Sequence, residues 1–99
     1  FTNVLLYIMS NKLAFLENSG TSRILTILLK NNRQMYLTEL KKKIGPGSMS
    51  TLNMRILELK NLGLLDDKLE EKFGGRRYIW LTEKGKKIAE YLLEIEKII

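Results

Sequence analysis

The chain has one proline, and it stands between glycines in Gly45-Pro46-Gly47-Ser48. No helix passes through such a stretch, because proline lacks the donor and glycine costs too much backbone entropy. The apolar-periodic segments on either side are therefore separate helices joined by a tight turn. On the near side, "QMYLTELKKKIG" places Met35, Tyr36 and Leu37 as a very short strand. Thr38 follows as the expected cap of a short helix with Leu40 and Ile44 inward, and Lys41, Lys42 and Lys43 read as its solvated face. On the far side, Ser48 caps a longer helix, "MSTLNMRILELKNLG". Leu52, Ile56 and Leu59 recur there at i, i+4 and i+7, one narrow buried stripe. Gly63 ends it in the left-handed conformation.

The flanking segments follow the same logic. Residues 3–17 carry Leu5, Ile8, Met9, Leu13 and Leu16 on one helical face, with strand as the alternative for "VLLYIM". "ENSGTS" breaks that pattern, and Ser19 or Thr21 caps a helix with Ile24, Leu25, Leu28 and Leu29 inward. "LLDDKLEEK" and "RRYIWLT" flank "FGG" and read as a β-hairpin. Tyr78 and Trp80 alternate with Ile79, so at least one aromatic is expected on the core. Thr82 caps a last helix whose Ile88, Tyr91, Leu92, Ile95, Ile98 and Ile99 form an apolar seam.

Composition narrows the function. Ninety-nine residues make one domain, and 44% apolar with 28% charged residues is the balance of a folding chain. Cysteine and histidine are both absent, which removes thiolate chemistry, the commonest metal ligands and the usual base at neutral pH. No enzyme, metal or cofactor is expected. The net charge of +6 favours a polyanionic partner. The opening apolar run is far shorter than the roughly 20 residues of a membrane span, so a cytoplasmic protein without membrane association is expected. The chain opens on Phe1, which leaves its native start open.

The order helix, short helix, turn, helix, hairpin, helix is that of a helix-turn-helix followed by a β-ribbon. The fold class expected is mainly α with a small β-hairpin (α+β). The stretches "LTELKKKIG", "SMSTLNMRILELKNLGLL" and "RRYIWLTEKGKKIAE" resemble winged-helix regulators of the MarR, ArsR and PadR kind. The likeness runs from about Ser22 to Ile99. It implies a single winged-helix domain over 1–99: an N-terminal helix at 1–18, a core at 22–81 and a C-terminal dimerisation helix at 83–99.

That reading assigns roles by helix geometry. At about 100° per residue, Ser50, Asn53, Met54 and Leu57 lie opposite the buried stripe, with Thr51 and Glu58 on a flank. Ser48, Ser50, Thr51 and Asn53 are candidates for hydrogen bonds to bases or phosphates, Met54 for a thymine methyl, and Arg55 for a phosphate. A solvated polar face is the plainer account of the same residues. In the hairpin, Arg76 and Arg77 crowd like charges beside a glycine turn. Either arginine can pair with Glu70 or Glu71, and since neighbours on a strand point oppositely, at least one is expected to meet DNA. Lys84, Lys86 and Lys87 are read as offsetting Glu90, Glu94 and Glu96.

The apolar seam from Ile88 to Ile99, with Leu5 and Ile8, exceeds what one small domain buries. A homodimer through the terminal helices follows, set on a palindromic duplex. The expected function is site-specific binding of double-stranded DNA by a transcriptional regulator. A winged-helix protein-interaction module and a sequence-indifferent architectural binder are the alternatives. No small-molecule effector is legible.

Overall fold

The computed structural model describes residues 11–71 and 74–99. A 3₁₀ turn at Ala14–Glu17 leads into α1 (Thr21–Lys30), β1 (Gln34–Tyr36), α2 (Leu37–Ile44), α3 (Met49–Asn61), β2 (Leu65–Leu69), β3 (Arg77–Leu81) and α4 (Glu83–Ile98). The helix expected over 3–17 is thus a 3₁₀ turn where it is described. Leu5 and Ile8 lie outside the described residues.

The Gly-Pro-Gly turn separates α2 from α3 as its chemistry requires. The Ser48 hydroxyl accepts from the Thr51 backbone N–H at 3.0 Å, and the Thr82 hydroxyl accepts from that of Gly85 at 3.1 Å. Each cap satisfies an amide that its helix leaves without a partner. At the other end of α3, Gly63 takes φ +76°. The Leu64 N–H then reaches the Leu59 carbonyl and the Gly63 N–H that of Lys60, both at 3.0 Å, closing the last turn. Two expected caps are absent. The cap position of α1 is Gly20 rather than Ser19 or Thr21, and the Thr21 hydroxyl is buried without a hydrogen bond among the described residues. Strand β1 runs directly into α2, so the cap position falls on Tyr36 and Thr38 already lies within the helix.

The hairpin gains a third strand. The sheet order is β1-β3-β2, antiparallel throughout, with Met35 and Asp67 both opposite Ile79 and Leu65 opposite Leu81. Met35, Leu65, Ile79 and Leu81 are buried. Because Ile79 takes the core side, strand alternation sends both Tyr78 and Trp80 to the opposite face. This corrects the expectation that one aromatic enters the core. Tyr36 joins them there, its ring 5.2 Å from that of Tyr78 in an edge-on arrangement, with Trp80 6.1 Å further along.

The core lies between this sheet and the helices, with Ile24, Leu25, Leu28, Leu40, Leu52, Ile56 and Leu59 buried. Each such side chain contributes about 1.5–3 kcal/mol by leaving water. Helix α4 packs on α1 through buried Ala89, with Ile88 and Leu92 against the core. Its outer residues are uncovered: Tyr91 is 72% exposed, Ile95 52%, Ile98 84% and Ile99 99%.

Candidate nucleic-acid interface

Helix α3 has three differently used sides. Its core stripe is buried. Opposite lie Ser50, Met54 and Leu57, all exposed, with Met54 at 55% and Leu57 at 56%. Met49, 39% exposed, stands at its N-terminal end. Among the described residues, no charged side chain occupies the centre of this outward face. Ser48 and Thr51 are exposed too, but their hydroxyls lie 2.9 Å apart and close the helix cap.

The flank facing α1 is occupied internally. Arg55 donates through Nε to the Ser19 carbonyl at 3.0 Å and through Nη1 to Glu58 at 3.0 Å, and its side chain is only 16% exposed. Asn18 donates to the other Glu58 oxygen at 3.0 Å. Arg55, expected at a phosphate, therefore braces α3 against the turn that precedes α1.

The opposite flank faces the wing, and here the two arginines of the hairpin part ways. Arg77, on the core side of β3, donates through Nε to Asp67 Oδ2 at 2.7 Å and through Nη1 to Asn53 Oδ1 at 2.9 Å. Lys60 holds the other Asp67 oxygen at 2.7 Å. Burial pushes the Asp67 carboxyl upward, but the bonds from Lys60 and Arg77 outweigh it and hold the group below the usual carboxylate range. The hydrogen bond to Asp67 in turn raises Lys60. The cluster thereby locks α3, β2 and β3 together. Asn53 is half-buried within it.

Arg76, one residue earlier, turns to the outer face and is exposed. Its guanidinium lies over the Tyr36 ring, 3.8 Å from the centroid. The Tyr36 hydroxyl donates to Glu70 at 2.6 Å, and that bond pushes the phenol above its ordinary value. The inward pairing is thus made by Arg77, with Asp67 rather than Glu70 or Glu71, and Arg76 is the arginine left outward.

Further cations surround the turn. Arg23 donates to the Ile44 carbonyl at 2.9 Å and Lys41 to that of Gly45 at 3.0 Å. Both line a cleft of about 220 Å³ with Ser22, Ser48 and Thr51. Lys42 and Lys43 are exposed and form no ion pair among the described residues. On α4, Lys84 donates to the Leu62 carbonyl at 3.1 Å, while the acids Glu94 and Glu96 pair with Lys97 and Lys30. Lys84, Lys86 and Lys87 therefore do not offset those acids by direct contact. No group of His, Cys, Asp or Glu among the described residues is arranged to hold a metal. No described helix is long and apolar enough to cross a membrane.

Two short helices joined by a tight turn, the second with an open outward face beside a β-ribbon that leaves one arginine exposed, form the arrangement that comparison with known proteins identifies. The family model for HxlR-like helix-turn-helix proteins matches residues 15–99. The chain belongs to the HxlR-like helix-turn-helix family. Membership makes it a helix-turn-helix protein, and the β2–β3 ribbon after α3 makes the motif a winged one. An uncharacterized protein of Methanocaldococcus jannaschii is 38% identical over 74 residues, which cover 73% of this HxlR-like chain and 60% of the relative. The chain thus spans less than two thirds of that relative's length. A MarR-family protein of Porphyromonas gingivalis W83 shares the fold, with a TM-score of 0.77 at 24% identity over 90% of this chain and 85% of that one. Sso10a-2, a DNA-binding protein from Sulfolobus solfataricus, superposes with a TM-score of 0.62 at 26% identity, covering 80% of each chain.

Proposed function

We propose that this HxlR-like protein binds duplex DNA site-specifically as a homodimer, with α3 in the major groove and the wing at the backbone or minor groove. The observation that carries the reading is the outward face of α3, open and free of charge at its centre, tied by the Arg77–Asn53 bond to a ribbon that leaves Arg76 exposed. Ser50, Asn53 and Met54 then face base edges, with Ser48 and Thr51 near the backbone at the helix N-terminus. Arg76, Lys42 and Lys43 supply phosphate contacts. Arg55 and Arg77 hold the elements in place. The exposed Tyr91, Ile95, Ile98 and Ile99 of α4 form the dimer contact. Two such helices on a two-fold axis meet half-sites one helical turn or a multiple apart.

One observation favours a second reading. Met49, Met54 and Leu57 give α3 an apolar outer face, which also suits a protein partner. Fluorescence-anisotropy titration of random duplex across a salt series separates the two. DNA binding predicts affinity that falls steeply with salt, and a slope shallower by about one in Arg76→Ala. Absence of binding at low salt would overturn the DNA reading in favour of the protein-interaction module. Equal affinity for random and selected duplex would leave an architectural binder.

A further inference from the structure

The cluster at the base of the wing constrains what Asn53 can read. An asparagine amide offers one acceptor oxygen and one donor group, and its usual base contact uses both, against adenine N6 and N7. Here Oδ1 is already engaged by Arg77 at 2.9 Å. Arg77 cannot easily release it, because Asp67 holds the same guanidinium at 2.7 Å and is itself gripped by Lys60 at 2.7 Å. The Asp67 side chain is only 11% exposed, so water competes weakly for these bonds. An adenine amino group would have to bond the second lone pair of Oδ1 with a guanidinium cation beside it, whose charge repels the positive amino hydrogens. The amide is therefore pinned with its Nδ2 edge turned away from Arg77, a donor whose neighbouring acceptor faces a cation.

The next residue completes the pattern. Met54 is 55% exposed on the outward face of α3, next to the wing-side flank that carries Asn53, and Leu57 one turn on is 56% exposed. A donor next to an apolar side chain matches a base edge that sets an acceptor next to a methyl group. In the major groove that edge is thymine, with O4 beside the C5 methyl. We infer that Arg77 is a positioning residue for base readout, fixing Asn53 as a donor so that Asn53 and Met54 together select a T·A pair in each half-site. The inference rests on the reading that α3 enters the major groove.

Selection from a randomised duplex library with the full chain, followed by competition binding, tests it. Wild type should enrich one T·A pair per half-site by about fivefold or more over the reversed pair. Replacing that thymine with deoxyuridine, which keeps O4 and loses the methyl, should weaken binding, and Met54→Ala should remove the difference. Asn53→Ala should weaken the preference at that position alone, leaving the part carried by the methyl group. Arg77→Lys keeps the charge beside Asp67 but not the fork that reaches Asn53, and should admit A·T there. A thermal melt of this variant checks that it folds, and a merely structural role for Arg77 would not change the preference at a single base pair. A T·A preference untouched by Arg77→Lys and Asn53→Ala, or adenine read by wild type, would overturn the inference while DNA binding stands. Binding without any enriched sequence would overturn it too. No binding to any duplex would take the functional reading down with it.

Discussion

A Cβ placed on Gly85 would stand 1.7 Å from the Leu64 carbonyl oxygen. That oxygen accepts the Thr82 N–H at 3.1 Å, so the chain leaving α3 and the chain entering α4 are in direct backbone contact there. Nothing flexible can move aside. Gly85→Ala should therefore cost about 3 kcal/mol or more, beyond the usual range for overpacking by a methyl, as a lowered urea midpoint at unchanged slope. A second residue ties stability to pH. Asp67 has its pKa depressed on folding, so its contribution is fully present above about pH 5 and is lost as pH falls through the lowered value. Stability of wild type should drop more steeply between about pH 5 and 3 than that of Asp67→Asn, which at pH 7 should be weaker by about 1–2 kcal/mol. Glu83, depressed by its hydrogen bond from Arg33, titrates in both proteins, so the difference between the two curves isolates Asp67.

Helix α4 is the element whose burial is incomplete. Ala89, Ile88 and Leu92 meet the core, yet Tyr91, Ile95, Ile98 and Ile99 continue the seam into solvent. Tyr91→Glu/Ile95→Glu should shift sedimentation from dimer to monomer, and because those side chains contribute little to the core of one chain, its circular-dichroism spectrum should be unchanged. Both halves of that seam are legible in sequence as one apolar stripe; their division between core and exposed surface is not, because it depends on where α1 lies. The same limit explains the other gaps. Ser48, Gly63 and Thr82 are readable because a cap or a left-handed residue acts within one turn. Thr38 misleads because β1 passes into α2 without a loop. Tyr78 and Trp80 mislead because the side of a strand that faces the core is set by its partners. The partner of Arg77 lies diagonally across the hairpin at Asp67, and its second contact, Asn53, is on another element. Neither follows from local spacing. The pattern of residue types nevertheless points to α3 and the wing, since short polar side chains and paired arginines are conspicuous without coordinates.

At the scale of the molecule, charge and symmetry act together. Arg33, Arg55, Lys60 and Arg77 are paired with acids, so the net +6 resides in the other cations. Of these, Arg76 at the wing and Lys42 and Lys43 on α2 are the ones placed at phosphates in the proposed binding mode. In that mode a second copy would double the phosphate contacts of one protomer. Counterion release counts the phosphates neutralised, so the logarithm of affinity falls with the logarithm of salt in proportion to that number. A dimer engaging two half-sites should show about twice the slope of a single domain on the same duplex. Tyr91→Glu/Ile95→Glu adds two negative charges far from the proposed groove, which alone changes affinity modestly and the slope little at moderate ionic strength. The expected result, by anisotropy on a selected palindrome from about 50 to 200 mM salt, is a slope reduced by about half together with a marked loss of affinity. If the slope stays at the wild-type value while sedimentation shows a monomer, the two copies do not share the duplex, and the α4 seam serves some other contact.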